Sequence, residues 1–296
     1  MMQSTPLKKP GISPLRADII LLTVTLIWGG TFPVLKLLVV AMSPFYLVAV
    51  RFLMAFAILT PFALANRHRL DVRTWQVGIG LGLLLWGGFL SQTVGIQYTT
   101  ASKAAFITAL SVVITPVFST LLLRKRPGSA ALLGVVLATV GLGLLTLDFS
   151  QPLALHKGDL LILLCAFLYA LQIIAVDYYG ASLDPLMLTW VELGTVAVVG
   201  LVVAMLREPM PRLDTPGLWG GLLYLALFAT AAAQYLQIRV QPYTNPTRVS
   251  LIFSLEPVFA AILALMILGE QLPWLGQIGA GFMLMGVVVS ELGDRV

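Results

Sequence analysis

Between residues 92 and 144, a step of 145 positions returns a residue of the same kind again and again. Gln92 meets Gln237, Tyr98-Thr99 meets Tyr243-Thr244, and Lys103 meets Arg248. Ile107, Leu110, Val113 and Leu123 meet Ile252, Leu255, Val258 and Leu268, while Gly134 and Gly141 meet Gly279 and Gly286. Leucine matches between apolar stretches arise by chance. An ungapped register held through glutamine, tyrosine and glycine does not. The chain reads as two tandem copies of one apolar unit, the pattern of a membrane carrier whose halves enclose a central site.

Hydrophobic residues make up 59% of the 296, and charged residues only 10%. A soluble domain carries about a quarter charged residues. Mean hydropathy is +0.96. The net charge of +5 comes from short basic clusters between apolar stretches. That pattern sets membrane orientation and argues against a nucleic-acid partner. The single Cys165 excludes an internal disulfide and reads as a small packed residue. Lys8, Lys9 and Arg16 precede an apolar run that continues through Trp28 and Phe32 to Val40 without a small-x-small cleavage site. The expectation is a retained first span rather than a secretion signal. Residues 1–16, with Pro6, Pro10 and Pro14, are expected to form a disordered cytoplasmic N-terminus.

A bilayer core of ~30 Å needs about 20 helical residues. Apolar stretches of that length fall near 17–40, 44–66, 74–96, 101–123 and 128–147, then near 158–180, 184–206, 216–240, 246–268 and 272–291. None alternates with period two, which excludes a β-barrel. The expected fold is an all-α integral membrane protein of ten transmembrane helices. These form a first repeat over 17–148, a linker over 149–157 and a second repeat over 158–293. With the N-terminus inside, cytoplasmic segments receive Lys8, Lys9, Arg16, Arg67, Arg69, Arg73, Arg124, Lys125, Arg126, Arg239, Arg248 and Arg295. External segments receive Lys36, Lys103, Lys157, Arg207 and Arg212. Both termini are therefore expected in the cytoplasm. Five spans per copy is odd, so the second copy enters the membrane from the opposite side and the repeats are inverted.

Charges within spans mark the interior. Arg51 lies about 10 Å into its helix at 1.5 Å per residue. A step of 141 carries Arg51 to Glu192 and Pro44 to Pro185, so the two charges hold matching places. Each needs an ion-pair partner or a wet cavity. Glu256, beside Pro257, stands near mid-span as a proton or cation site, and the first copy has Ser111 in its place. Trp28, Trp86, Trp190, Tyr98, Tyr169 and Tyr224 carry polar tips that need partners away from lipid. Thr31, Gln92, Thr108, Gln172, Gln234 and Gln237 are equally out of place in hydrocarbon. Together they outline an aromatic-rimmed, hydrated cavity for a zwitterionic or amphipathic small molecule. Gly29-Gly30 and Pro33 are expected to bend the first span.

The chain resembles the ten-helix EamA-type exporters of the drug/metabolite transporter superfamily. The resemblance rests on Ile27-Trp28-Gly29-Gly30-Thr31-Phe32-Pro33, Gly95-Ile96-Gln97-Tyr98-Thr99-Thr100-Ala101, Leu255-Glu256-Pro257-Val258-Phe259 and Leu268-Gly269-Glu270. Residues 98–108 look most like the aromatic amino acid exporters of that family. The family's Gly-Glu pair at the end of the fourth helix is Arg124-Lys125 here. The resemblance implies a bacterial inner-membrane exporter of amino acids and related metabolites, with a central cavity between its halves. The expected partners are the small-molecule substrate and the lipid bilayer, with a monomer as a plausible state and no cofactor. No Gly-x-x-x-x-Gly-Lys-Ser/Thr loop for ATP is present. A multidrug or quaternary-cation exporter is the nearer alternative, with Glu192 or Glu256 facing the cation. An intramembrane transferase is the more distant one. The aspartates are scattered, and His68 and His156 lie in loops, so no catalytic or metal-binding set can be assembled.

Overall fold

The structure is a computed structural model that describes residues 12–98, 101–147, 157–208, 216–268 and 273–293. All of the expected linker 149–157 except Lys157, which begins a helix, lies outside the described residues, as do Gly269-Glu270 and most of residues 1–16. Among the described residues the regular structure is entirely helical. The first copy contains α1 (Pro14–Gly29), α2 (Thr31–Ala41), α3 (Pro44–Ala65), α4 (Val72–Gly95), α5 (Ala101–Ala109), α6 (Ser111–Leu122) and α7 (Ser129–Thr146). The second contains α8 (Lys157–Tyr179), α9 (Pro185–Arg207), α10 (Pro216–Ala226), α11 (Ala233–Val240), α12 (Pro246–Phe253), α13 (Glu256–Leu268) and α14 (Trp274–Gly293). Among the described residues seven helical segments are long and apolar enough to cross a membrane, and Phe106–Leu122 and Trp274–Ser290 are shorter apolar helices.

Local chemistry sets many helix ends. Ser43 and Asp184, one repeat step apart, cap the starts of α3 and α9, each followed by a proline at the first helical position. Asp71 caps α4, accepting from Thr74 N at 2.7 Å and from Thr74 Oγ1 at 2.5 Å. The Thr74 hydrogen bonds hold the Asp71 carboxyl below the usual carboxylate range. A depressed carboxylate adds stability above its unfolded pKa, and that stability fades as pH falls through the folded value. Asp71→Ala is therefore expected to melt below the parent at neutral pH. The gap should close as the pH of the melting scan is lowered into the acid range, and a pH-independent gap would contradict the cap.

The two copies run in opposite directions. Gly134 lies against Gly286, and Gly141 against Gly279, where α7 crosses α14. Numbers rise on one helix as they fall on the other, so these equivalent helices are antiparallel. The same holds for α3 and α9, where Ala49 meets Gly200 and Phe56 meets Gly194. Two equivalent pairs packed antiparallel are the signature of an inverted repeat.

Three of the apolar segments are interrupted. α1 ends and α2 begins around Gly30, as the glycine pair anticipates. Gly29 also lets α1 sit directly on α13, because a side chain there would meet Phe259 Cβ at 2.8 Å and Ala260 N at 2.9 Å. α5 and α6 part at Leu110, whose N–H is shared between Phe106 O and Ile107 O at 3.2 Å each. α12 and α13 part at Ser254-Leu255, where Leu255 N–H donates to Ile252 O at 3.1 Å. Leu110 and Leu255 are one repeat step apart, so both copies break at one place. Pro257 follows the second break closely, but Pro116 lies inside α6. The break thus belongs to the repeat and not to the proline.

Candidate functional site

The breaks and the inversion converge on one cavity with about 910 Å³ of empty space, open mouth included. Its wall follows the repeat. A step of 141 carries Trp28 to Tyr169 and Thr31 to Gln172, and all four line the cavity. A step of 145 carries Phe89 to Gln234, Gln92 to Gln237, Thr108 to Phe253, Ala109 to Ser254 and Ser111 to Glu256, again all in the wall. The site therefore lies on the axis that relates the copies. Backbone positions match across it, while side-chain chemistry does not.

Arg51 brings the positive charge. It is 3% exposed. Its Nε donates to Thr230 Oγ1 at 2.5 Å and its Nη2 to Ala229 O at 3.1 Å. The guanidinium carbon stands 4.8 Å from the centroid of Phe89, a cation–π distance. The acceptor exists because residues Leu227–Ala232, between α10 and α11, are wound as a π-helix. There Ala233 N–H reaches back to Phe228 O, five residues away, rather than to Ala229 O. Ala229 O instead accepts from Arg51 and, at 2.9 Å, from Trp28 Nε1. A local widening of one helix thus fixes two cavity side chains from two others, a common use of π-helical turns. Sequence reading gave no sign of it.

Glu256 brings the negative charge into the same cavity, and no ion pair joins it to Arg51 among the described residues. Glu192 stands apart from the wall. It is fully buried, and its Oε1 accepts from Gln172 Nε2 at 3.2 Å. Arg51 and Glu192 occupy matching places but are anchored separately, with no ion pair between them. Gln92 Nε2 donates to Thr108 Oγ1 at 3.1 Å, and Gln234 Oε1 is buried without a donor.

Four residues expected at the cavity are seated elsewhere. Trp190 stacks on Phe56 at 5.1 Å, meets Trp75 edge-on at 5.9 Å and donates its Nε1 to Thr60 Oγ1 at 3.0 Å. Trp86 packs into the apolar cluster around Phe52, Leu85 and Leu193. Tyr224 spends its hydroxyl on Ile27 O at 2.8 Å, beside the α1–α2 break. Tyr98 is 57% exposed at the end of the 3-10 turn after α4. Conversely, Phe89, Ser111, Phe253, Ser254 and Pro257 line the cavity without having been singled out as site residues. The repeat register would have found most of them, since each of the first four is the counterpart of another wall residue.

A second buried polar contact ties the halves of the site. Asp18 of α1 and Arg248 of α12 form an ion pair at 3.1 Å, with side chains only 7% and 9% exposed. Among the described residues no group of His, Cys, Asp and Glu is arranged to hold a metal ion.

Comparison with known proteins agrees with this architecture. The EamA-like transporter family matches twice, over residues 15–147 and 156–292. An uncharacterized transporter of Archaeoglobus fulgidus is 33% identical over 284 residues, covering 95% of this chain and 88% of that protein. The uncharacterized transporter YyaM of Bacillus subtilis is 25% identical, with 92% of each chain covered. The WAT1-related protein At3g02690 of Arabidopsis thaliana, a chloroplastic protein, is also 25% identical, over 90% of this chain and 67% of its own length. One solved crystal structure superposes with a TM-score of 0.80 at 19% identity, covering 94% of this chain and 97% of its own, a likeness of fold. A doubled helical unit around one polar cavity, matched twice over nearly the whole chain, makes this multi-pass membrane protein a transporter and not an enzyme: it belongs to the EamA-like transporter family.

Proposed function

We propose that the chain is a ten-span secondary carrier that exports neutral amino acids, aromatic ones among them, or closely related zwitterionic metabolites. Transport proceeds by alternating access as the two inverted halves rock around the central cavity, with both termini in the cytoplasm of a bacterial inner membrane. The observation that carries this reading is the unpaired opposition of Arg51 and Glu256 in one cavity. A zwitterion supplies a carboxylate to the first and an ammonium to the second, replacing the solvation that each charge loses on closure. Trp28, Phe89, Tyr169 and Phe253 offer rings to an apolar or aromatic side chain. A quaternary cation would meet Glu256 and the rings but also the buried guanidinium, a like-charge contact that disfavours it.

Purified protein in liposomes is expected to take up labelled phenylalanine saturably, with competition from other neutral amino acids. Glu256→Gln should weaken apparent affinity about tenfold, in the range of one charge-assisted hydrogen bond. Uptake of tetraphenylphosphonium or choline without any of amino acids would replace this reading with cation export.

A further inference from the structure

Two of the cavity glutamines belong to a hydrogen-bond relay that leaves the cavity at both ends. Gln172 Nε2 donates to Glu192 Oε1 at 3.2 Å, and Gln237 Nε2 donates to Gln172 Oε1 at 3.0 Å. The same Gln237 nitrogen donates to Gln241 Oε1 at 3.2 Å, and Gln241 Nε2 donates to Ile173 O at 2.6 Å. Glu192, Gln172, Gln237 and Gln241 are each at most 3% exposed. Only Gln172 and Gln237 line the cavity.

The sense of such a relay is set by its ends. An amide can accept through its oxygen or donate through its nitrogen, and each link fixes the next. Ile173 O only accepts, so Gln241 must turn its nitrogen outward and its oxygen toward Gln237. At the other end Glu192 accepts, so Gln172 turns its nitrogen to the carboxyl and its oxygen toward Gln237. Gln237 is met by an acceptor from both sides and gives both amide hydrogens away. Its carbonyl oxygen is then the part of the amide left for a visitor in the cavity. With the Glu256 carboxylate, which lines the same cavity, the wall offers acceptors to a group rich in N–H.

We infer that Glu192 is a positioning residue: it never touches substrate, but it fixes the sense of the Gln172–Gln237 relay so that the cavity selects ligands bearing a free ammonium. The inference rests on the zwitterion reading above and adds which residue enforces the choice. Without an acceptor at position 192, Gln172 is free to turn over and give its N–H to the Gln237 carbonyl. That satisfies the relay internally and removes one acceptor from the cavity.

The test compares phenylalanine with its desamino analogue 3-phenylpropionate, each as a competitor of labelled phenylalanine binding to purified protein and as a transport substrate in liposomes. The parent should prefer phenylalanine strongly. Glu192→Met, which leaves no acceptor for the Gln172 amide, should narrow that preference about tenfold through a higher KM for phenylalanine, with kcat changed less than about threefold and the melting temperature nearly unchanged. Glu192→Asp, which keeps an acceptor, should retain the preference. Should Glu192→Met fail to fold, Glu192→Leu removes the same acceptor and carries the same expectation. An unchanged preference in a folded variant lacking the carboxyl overturns the inference while leaving the carrier reading intact. A parent protein that neither binds nor transports phenylalanine overturns the carrier reading itself.

Discussion

Arg51→Met is expected to lower phenylalanine transport by up to about a hundredfold while leaving the protein folded. Among the described residues that line the cavity the guanidinium is the one positive group, so a carboxylate bound there has no second cation to turn to. Hydrogen bonds to charged groups are worth about 1.5–3 kcal/mol, and the upper end of that range is a hundredfold in affinity. The fold should survive because the partners of Arg51 keep other bonds. Ala229 O still accepts from Trp28 Nε1, and the Thr230 hydroxyl still donates to Leu225 O at 2.8 Å. Methionine fills the volume between Phe52 and Phe89 without a charge. Radiotracer uptake and a melting scan in detergent separate the two effects. Retained transport by a folded Arg51→Met variant would remove the charge from the mechanism.

The largest effect on folding is expected at the α7–α14 crossing. In Gly141→Val the added Cβ lands on the carbonyl oxygen of Gly279 and within 2.8 Å of Met283 Cγ and of its backbone nitrogen. Backbone atoms cannot turn aside as a side chain can, so the helices must part. Overpacking of this kind costs about 3 kcal/mol or more. For a chain of this size that corresponds to a fall of roughly 10 °C in melting temperature. Gly281→Val, on α14 but with nothing within 4 Å of the added Cβ, is the matched control and should lose far less. Equal losses in the two would assign the effect to helix propensity rather than to close approach.

Much of this site is legible in the amino-acid sequence because a bilayer makes polar residues conspicuous. Arg51, Gln92, Thr108, Gln172, Gln234, Gln237 and Glu256 stand out within apolar spans, and all line the cavity. Trp28, Thr31 and Tyr169 do so as well. Amphipathic rings are harder to place. Trp190 and Tyr224 satisfy their polar tips on Thr60 and Ile27 O, and sequence does not say which neighbouring helix will offer such a partner. The π-wound segment Leu227–Ala232 is hidden for a different reason. Its residues, Leu-Phe-Ala-Thr-Ala-Ala, suit an ordinary helix, and the extra residue in the turn becomes visible only through the donors that Ala229 O attracts. The symmetric breaks at Leu110 and Leu255 were within reach of the repeat register, but only the second is flagged by a nearby proline.

The antiparallel match of the two copies has a consequence for direction. If motion exchanges the roles of the copies, the backbone itself has no preferred side, since each opening mirrors the other. Any bias toward emptying on one face must come from the unlike partners across the axis, such as Ser111 against Glu256 or Phe89 against Gln234. Vectorial behaviour would then be encoded by a handful of substitutions on an otherwise impartial frame.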